Sequence, residues 1–423
     1  MSIKERINEW IDDNKQKSID RLKKMVQQAS TQGHEKGVQE VVANILKELD
    51  LDVDVWDLDG DRLKKHPYFY SNRETFKHSP NVVGVLKGSG GGKSIILNGH
   101  VDVVPEGDHD QWNAAPYSGE IIDGKMYGRG ATDMKGGNTA LLMAIEAIQS
   151  LGIRLKGDVI FQSVIEEESG GAGTLDAILQ GYKADAAIIP EPTSMKIFPK
   201  QQGSKWFRLI VTGQTAHGGT PYLGVNAIDK AFLVNKHVKE LEKIRNDRIT
   251  DPLYDNVPVP VPINIGSING GDWPSSVPDI VQLEGRIGIA PGEAIEEVQQ
   301  EMEAWIGRLG EIDSWFKNHP VKVAWFGARW IPGEIDTNHS LLGALTDNFT
   351  EIMGSAPEVI ASPWGTDGGL LTQVAETPTV VFGPGITNLA HFPNESIEVE
   401  KMFEAAKVIA GAVVDWCGVG EVT

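Results

Sequence analysis

The chain has 423 residues, of which 40% are hydrophobic and 23% charged, so its composition is that of a globular protein large enough for two domains. Its formal net charge of −20 disfavours a nucleic-acid or anionic-membrane partner, because both attract basic surfaces. A single cysteine excludes an intramolecular disulfide, and without a long uncharged apolar run or an N-terminal signal segment we expect a soluble, cytoplasmic protein.

The first 200 residues alternate predicted helices and predicted strands. Apolar residues recur at helical spacing over 3–28 and 33–49, and the mostly polar segment 58–80 is predicted to be a surface loop. Aliphatic runs predict strands at 51–57, 81–87, 94–102, 157–166 and 186–191, with helices near 134–151 and 173–180. This β-α-β alternation predicts a mostly parallel or mixed sheet, with candidate sites at the carboxyl ends of its strands.

The pattern changes near Gln201, where the elements follow the order β-α-β-β-α-β. Strands are predicted at 205–213, 262–268, 279–289 and 320–326, and helices at 226–246 and 293–309. This order is the split pattern of a ferredoxin-like domain. We therefore predict an α/β fold in which a mixed-sheet α/β domain, residues 1–200 and 328–423, is interrupted by an inserted ferredoxin-like α+β domain, residues 201–327. The second part of the larger domain is predicted to add helices at 338–353, 366–374 and 397–414 and a strand at 377–382.

A histidine and two aspartates follow the first buried strands. His100 and Asp102 are two residues apart, so on a strand their side chains point to the same face. A metal-bound histidine usually donates its second ring N–H to a carboxylate, which suits His100 as a ligand and Asp102 as its support. Asp133 lies in the glycine-rich stretch GRGATDMKGG and can bridge two cations, although an aspartate before a helix is most often an N-cap.

Further acidic and imidazole groups follow other predicted strands. The acids at 166–168 come at the end of a buried strand, and adjacent acids repel one another unless cations or water screen them. An isolated triplet of this kind would indicate a solvated turn. Glu191 ends the next strand, and His391 follows a glycine-rich turn after the strand at 377–382. Two imidazoles and three carboxylates suit two zinc-like cations that share one bridge, with the candidate ligands His100, Asp133, Glu168, Glu191 and His391.

Five motifs resemble the signature set of the acetylornithine deacetylase, succinyl-diaminopimelate desuccinylase and aminoacylase family, whose members are di-zinc amidohydrolases and exopeptidases. They are GHVDVVP, GRGATDMKGG, EEESGG, EPT and a late histidine before PNE. The resemblance extends over nearly the whole chain. It implies that the larger domain is catalytic and that the inserted domain mediates dimerisation and acts as a lid.

The resemblance also implies a role for each candidate residue. His100 and Glu191 would hold one metal, Glu168 and His391 the other, and Asp133 would bridge them. Asp102 would orient His100, and Glu167 would be the general base. The implied cofactors are two divalent metal ions, with zinc expected and cobalt or manganese as alternatives.

Residues that contact the substrate are implied in the same way. His217, in GQTAHGGTPYLGVNAI, is similar to a histidine that stabilises charge on the carbonyl oxygen, often from a second subunit. Gly365 and Thr366 match a turn that lines the substrate pocket. Arg286 aligns with the family's carboxylate-binding arginine only after a shift, since Gly288 occupies the usual place. The implied partners are a small-molecule N-acyl substrate and a second copy of the chain in a homodimer.

Three functions remain open at this point. The first is a deacylase of small N-acylated amino acids or amines, in which a metal-activated water attacks the amide and Glu167 accepts its proton. The second is a dipeptidase or carboxypeptidase with the same metals, because the residues do not specify the leaving amine. The third is a non-catalytic binding protein with a degenerate site, whose sequence would have lost the base or a ligand; this sequence retains all of them.

Overall fold

The computed structural model describes residues 1–420. Over that range the chain forms two compact units. Unit 1 comprises Met1–Lys200, Gly333–Ile360 and the chain from Asp367 onward, and unit 2 comprises Gln201–Pro332 and Ala361–Thr366. Among the described residues, none of the helices combines the length and the apolar character that a membrane crossing requires.

Between residues 1 and 420 the chain forms helices and strands that alternate along most of its length. The helices are α1 (Ile3–Asp13), α2 (Lys15–Val26), α3 (Lys36–Glu48), α4 (Gly60–Leu63), α5 (Gly136–Ser150), α6 (Ala172–Leu179), α7 (Ala227–Asn246), α8 (Ile295–Gly307), α9 (Leu309–Ile312), α10 (Trp315–Asn318), α11 (Ser340–Met353), α12 (Gly368–Gln373) and α13 (Val399–Cys417). The strands are β1 (Asp52–Asp57), β2 (Pro80–Leu86), β3 (Ile95–His100), β4 (Glu120–Ile122), β5 (Lys125–Tyr127), β6 (Val159–Val164), β7 (Ala186–Ile189), β8 (Ile197–Gln201), β9 (Gly203–Thr212), β10 (Ala216–His217), β11 (Ile263–Gly270), β12 (Ser276–Val277), β13 (Ile280–Ile289), β14 (Lys322–Trp330), β15 (Gly333–Glu334), β16 (Val359–Ser362), β17 (Thr379–Val381) and β18 (Ser396–Glu398).

A nine-stranded mixed sheet lies at the centre of unit 1, in the order β1-β2-β6-β3-β7-β17-β8-β15, with β16 paired to β8. The neighbouring strands β6, β3, β7 and β17 run parallel, whereas β1, β2 and β8 make antiparallel pairs. Every residue of β3, β6 and β7 is buried, which explains why β7 is entirely aliphatic and why β3 and β6 begin with runs of three apolar residues. Because four strands run parallel, the segments that follow them leave the sheet at one edge.

The main sheet of unit 2 has four strands in the order β11-β13-β9-β14, and every pairing is antiparallel. Helix α7 connects β9 to β11, and α8 lies between β13 and β14. Buried residues alternate with more exposed ones along β9, so one face of this sheet belongs to the core. Strand order and connections are those of a ferredoxin-like α+β fold. The predicted fold class, a mixed-sheet α/β fold with an inserted ferredoxin-like part, is confirmed.

The structure differs from the predicted elements at several places, and strands β8, β10, β12, β15 and β16 are among the elements that were not predicted. The predicted helix 3–28 is two helices, because the Asn14 side chain donates a 2.7 Å hydrogen bond to the Trp10 carbonyl and competes with the helical backbone. The segment 58–80 contains α4 and buries Leu63 and Phe76, so it is packed onto unit 1. A small sheet of β4, β5 and β18 has no counterpart among the predicted elements.

Gly137 allows helix α5 to approach the end of strand β7. Helix α5 is buried over nearly its whole length, and Gly137 lies against Pro190, the residue before Glu191. A β-carbon added at Gly137 would overlap the carbonyl oxygen of Pro190. The absence of a side chain at this position therefore determines how closely the helix and the strand end can pack.

We expect Gly137→Ala to lower the free energy of unfolding by about 1–3 kcal/mol, because the added methyl group overpacks this contact. The matched control is Gly343→Ala in α11, where a β-carbon would have no heavy atom within 4 Å. The control should stabilise its helix by roughly 0.5–1 kcal/mol, because alanine loses less backbone entropy than glycine. Denaturant unfolding measures both, and equal effects of the two variants would contradict the packing role of Gly137.

Candidate metal centre

Five predicted ligands lie together at the edge of unit 1 where the parallel strands end. His100 is the last residue of β3, and Asp133 lies in the turn Ala131–Lys135 that leads into α5. The other three come from segments that follow β6, β7 and β17, namely Glu168, Glu191 and His391. Residues as far apart in the sequence as His100 and His391 thus meet in one region of the fold.

His100 is fully buried, and both of its ring nitrogens have partners. Nε2 lies 3.2 Å from Asp133 Oδ1 and 3.8 Å from Glu191 Oε1. Nδ1 lies 2.9 Å from the backbone oxygen of Asp102, whereas the Asp102 carboxylate is 3.6 Å away. The backbone oxygen accepts the proton on Nδ1, so Nε2 is the ring atom that faces the carboxylates and is placed to bind a metal ion. The sequence analysis expected the Asp102 carboxylate to orient His100, whereas the Asp102 atom within hydrogen-bond distance of the ring is its backbone oxygen.

Asp133 lies between the two histidines. Its Oδ1 faces His100 Nε2, and its Oδ2 lies 3.3 Å from His391 Nε2. His391 Nε2 also lies 3.0 Å from Glu168 Oε1. The two oxygens of one carboxylate therefore address two different imidazoles, which is the arrangement required of a bridging ligand.

A buried ion pair that the sequence analysis did not identify holds the turn around Asp133. Glu395 accepts hydrogen bonds from the backbone N–H groups of Thr132 and Asp133, at 3.0 and 3.1 Å. Its other oxygen accepts a 2.6 Å hydrogen bond from Arg129, which also donates to the backbone oxygen of His391 at 3.5 Å. The pair thus links the segments that carry two candidate ligands. Both residues lie inside the motifs GRGATDMKGG and PNE, which was the available signal.

The acidic triplet forms a tight turn directly after β6. Glu166 has a left-handed backbone, with φ of 66°. The backbone N–H groups of Glu167 and Glu168 donate to the two carboxylate oxygens of Asp102, at 3.3 and 3.2 Å. Glu167 is buried, with 7% of its surface exposed. The Asp102 carboxylate therefore positions the turn that carries Glu167, in addition to the contact of its backbone with His100.

The pKa values in this region indicate that its buried carboxylates favour a positively charged neighbour. Burial raises the pKa of Glu191 to about 8 and that of Asp367 to about 6, and burial with the nearby charge of Glu191 raises the pKa of Glu167. Burial by itself would lower the pKa of His391, but its hydrogen bonds to Asp133 and Glu168 raise it to about 11. The buried carboxylates and the imidazoles of this cluster thus raise one another's pKa or stabilise one another's charge, which is the behaviour of carboxylates that favour a cationic neighbour.

The donor set fits divalent metal ions. One ligand atom from each of His100, Asp133 and Glu168 lies within 4.8 Å of the others, and the same holds for His100, Glu167 and Glu191. Imidazole nitrogen and carboxylate oxygen are ligands that zinc accepts in hydrolytic sites. Glu167 lies close to His100 and Glu191, so an ion held by these two candidate ligands would have the Glu167 carboxylate beside it.

The remaining predicted site residues belong to unit 2. His217 ends β10 and is exposed, and its Nδ1 accepts a 3.0 Å hydrogen bond from the Gly219 N–H. Arg286 lies on β13 in a cavity of about 260 Å³, where its Nε has no hydrogen-bond partner among the described residues. A β-carbon on Gly288 would lie 2.7 Å from Gln202 Oε1, so an arginine does not fit at that position. Gly365 and Thr366 lie in the segment Ala361–Thr366.

Comparisons with known proteins agree on one family. The model of "Peptidase family M20/M25/M40" matches residues 96–415. The chain is 32% identical over 403 residues to an N-formyl-4-amino-5-aminomethyl-2-methylpyrimidine deformylase of Bacillus subtilis strain 168, covering 90% of this chain and 89% of that protein. It is 31% identical over 349 residues to an acetylornithine deacetylase of Yersinia pestis, covering 79% of this chain and 81% of that protein.

The fold has counterparts among solved structures. One from Bacillus subtilis, described as a dinuclear metal-binding peptidase of the M20 family, superimposes with a TM-score of 0.64 at 17% sequence identity. The superposition covers 96% of this chain and 99% of that chain. At this level of identity the likeness concerns the fold alone, and it includes both the mixed-sheet part and the inserted part.

We expect divalent metal ions to stabilise the folded protein, because cations relieve repulsion among the clustered carboxylates. Zinc added to chelator-treated protein should raise Tm, with a stabilisation of about 4 kcal/mol once free zinc exceeds its Kd a thousandfold. Asp133→Asn removes the charge shared by both histidines and should abolish most of the shift. The control Asp110→Asn changes an exposed aspartate of unit 1 and should keep the wild-type shift. Calorimetry measures Tm, and equal shifts in the two variants would exclude Asp133 from the site.

Proposed function

Because the chain belongs to peptidase family M20/M25/M40, and is therefore a hydrolase of amide bonds, we propose that it removes the acyl group from a small N-acylated amine or amino acid. The observation that carries this proposal is the position of Asp133, whose two carboxylate oxygens each face a different histidine. Such a residue suits a centre of two ions. The deformylase and the acetylornithine deacetylase among the relatives both support a small acyl group.

In the proposed centre, His100 and Glu191 would hold one ion, Glu168 and His391 would hold the other, and Asp133 would be shared between them. The expected ion is zinc, with cobalt or manganese as alternatives. When bound, two divalent ions lower the pKa of a water molecule and polarise the amide carbonyl. The Asp102 backbone keeps the proton of His100 on Nδ1, which leaves Nε2 available as a ligand atom.

Glu167 is the proposed general base. Its carboxylate accepts a proton from the attacking water and then delivers that proton to the nitrogen of the departing amine. Burial raises its pKa, which brings the group closer to the range in which it can both accept and return a proton. Its backbone is held by the Asp102 carboxylate, which limits the movement of the side chain during these two transfers.

Contacts with the rest of the substrate are proposed for unit 2. Arg286 presents a partly buried guanidinium in a cavity whose other walls include Trp206 and Phe326. Gly365 and Thr366 are proposed to line the pocket with their backbone and hydroxyl groups. Because Gly288 leaves no room for the arginine that the family resemblance implies, we do not require an α-carboxylate on the substrate.

We expect zinc-loaded protein to hydrolyse N-formyl or N-acetyl amines faster than dipeptides in a matched substrate screen. Glu167→Gln should lower kcat by about 10²–10⁴-fold, because it removes the proton acceptor and keeps the shape of the side chain. Elemental analysis should still find two metal ions per chain. Full turnover in Glu167→Gln would contradict its role as the base, and a preference for dipeptides would replace the deacylase by a peptidase of the same family.

We also propose that unit 2 mediates a homodimer and that His217 acts across it as the donor to the carbonyl oxygen. Large apolar side chains are exposed on this unit, with Tyr222 80%, Phe232 64% and Trp273 69% exposed, and such surfaces usually mark an interface. Because Nδ1 of His217 accepts the Gly219 N–H, a neutral ring carries its proton on Nε2, which suits a hydrogen-bond donor.

Mixing inactive subunits tests this arrangement. His217→Ala and Glu167→Gln should each be nearly inactive, and co-expression of the two should restore about a quarter of wild-type activity, because half of the dimers are mixed and each mixed dimer has one complete site. Turnover and light scattering measure activity and mass. A monomer in solution, or a mixture as inactive as its components, would contradict a histidine supplied by the partner subunit.

A further inference from the structure

Glu166, the first acid of the triplet, is fully buried and has no place among the proposed ligands or as the base. Its carboxylate accepts hydrogen bonds from Ser71 Oγ at 2.8 Å, from Arg73 Nη1 at 3.0 Å and from Gln32 Nε2 at 3.0 Å. A buried carboxylate with three donors, one of them cationic, is firmly held, because charge-assisted hydrogen bonds are stronger than neutral ones. Glu166 therefore anchors the turn that carries Glu167.

The backbone of Glu166 determines the direction of the next side chain. Its left-handed conformation, with φ of 66° and ψ of 17°, costs a residue with a β-carbon about 1–2 kcal/mol. The turn is closed by hydrogen bonds from the Gly171 N–H to the Glu166 carbonyl at 2.7 Å and from the Gly170 N–H to the Glu167 carbonyl at 3.0 Å. A change in the backbone conformation of Glu166 would therefore redirect the side chain of Glu167. The hydrogen bonds to the Glu166 carboxylate oppose such a change.

Arg73 is the cationic part of this anchor. Its Nη1 lies 3.0 Å from Glu166 and 3.3 Å from Glu35, and both of these carboxylates are fully buried. Its Nη2 donates to Ser79 Oγ at 2.8 Å. One guanidinium thus serves two buried acids, and its removal would leave Glu166 as an uncompensated buried charge beside Glu167.

We propose that Arg73 is a positioning residue for the general base, which acts by holding Glu166 and thereby the turn on which Glu167 is presented. This inference rests on the proposed function of Glu167. It gives a role in catalysis to the segment 58–80, which contributes Arg73 and Ser71 and lies far from the triplet in the sequence. Among the described residues, the Arg73 guanidinium forms its hydrogen bonds and ion pairs with Glu166, Glu35 and Ser79 and none with the candidate metal ligands, so its proposed contribution is to the geometry of proton transfer.

The experiment compares Arg73→Met and Arg73→Lys in the zinc-loaded full-length protein. Arg73→Met should lower kcat by about 10- to 100-fold, because small displacements of a catalytic group have effects of that size. KM should change by less than about twofold, because the misplaced base does not alter ground-state binding of the substrate. Arg73→Lys should recover part of kcat, because it keeps one charged donor. Two metal ions per chain, and an unchanged visible spectrum of the cobalt-substituted protein, should show that the ligands are undisturbed.

Arg62→Met is the matched control. Arg62 belongs to the same segment and pairs with a fully buried acid, Asp176, at 2.7 Å, but it does not contact the triplet. Its loss should lower Tm as much as the loss of Arg73 and leave kcat within about twofold of wild type. Equal losses of kcat in the two variants would overturn the proposal, because they would show a general effect of the segment.

A double-mutant cycle with Glu166→Gln covers the case in which Arg73→Met does not fold. Once Glu166 is neutral, Arg73→Lys should change kcat by less than about threefold, because the ion pair is already lost. Additive effects would overturn the proposal, as would loss of metal from the Arg73 variants. If wild-type protein hydrolyses no amide, the proposed function itself is wrong; if it does and the Arg73 variants keep wild-type kcat, only this inference is wrong.

Discussion

The concentration of negative charge at one edge of a parallel sheet is the constraint on which the rest of the structure depends. Asp102, Asp133, Glu167, Glu168 and Glu191 converge there, and burial makes their mutual repulsion costly. Two imidazoles are the cationic partners within this group, and Asp133 lies between them. Because the carboxylates repel one another, contacts other than those among the carboxylates must hold them in place.

Backbone N–H groups and additional charged residues supply those contacts. The Asp102 carboxylate accepts two backbone N–H groups of the acidic triplet, and Glu395 accepts two from the turn around Asp133. Each arrangement satisfies a buried carboxylate and at the same time determines the path of a neighbouring segment. Arg129 neutralises Glu395, and Arg73 has the same relation to Glu166. Glu395 and Glu166 are thus each paired with an arginine. Within residues 1–420, the carboxylates of the candidate ligands have no arginine of this kind and are available to bind cations.

The candidate metal ligands and the residues proposed to contact the rest of the substrate belong to different units of the chain. Unit 1 carries the candidate metal ligands and the proposed base on strand ends and tight turns, where burial and hydrogen bonds restrict movement. Unit 2 carries the residues proposed to select the substrate, among them a guanidinium in a cavity with aromatic walls. Its Gly288 is enclosed by Gln202 and Val261, so the pattern of side chains on β13 differs from the one that the family resemblance implies.

The order of the elements, the ferredoxin-like insertion and the identity of the candidate ligands were evident from the sequence, because they depend on local patterns: alternation in β9, aliphatic runs in β3 and β6, and acids directly after strands. Only the tertiary structure revealed that Asp133 uses one oxygen for each histidine, that the Asp102 backbone orients His100, and that Glu395 and Arg73 hold the two turns. Apart from the contact between His100 and Asp102, these contacts join residues far apart in the chain. Their partners are decided by how strands and loops pack, and no periodicity or spacing within a segment records that packing.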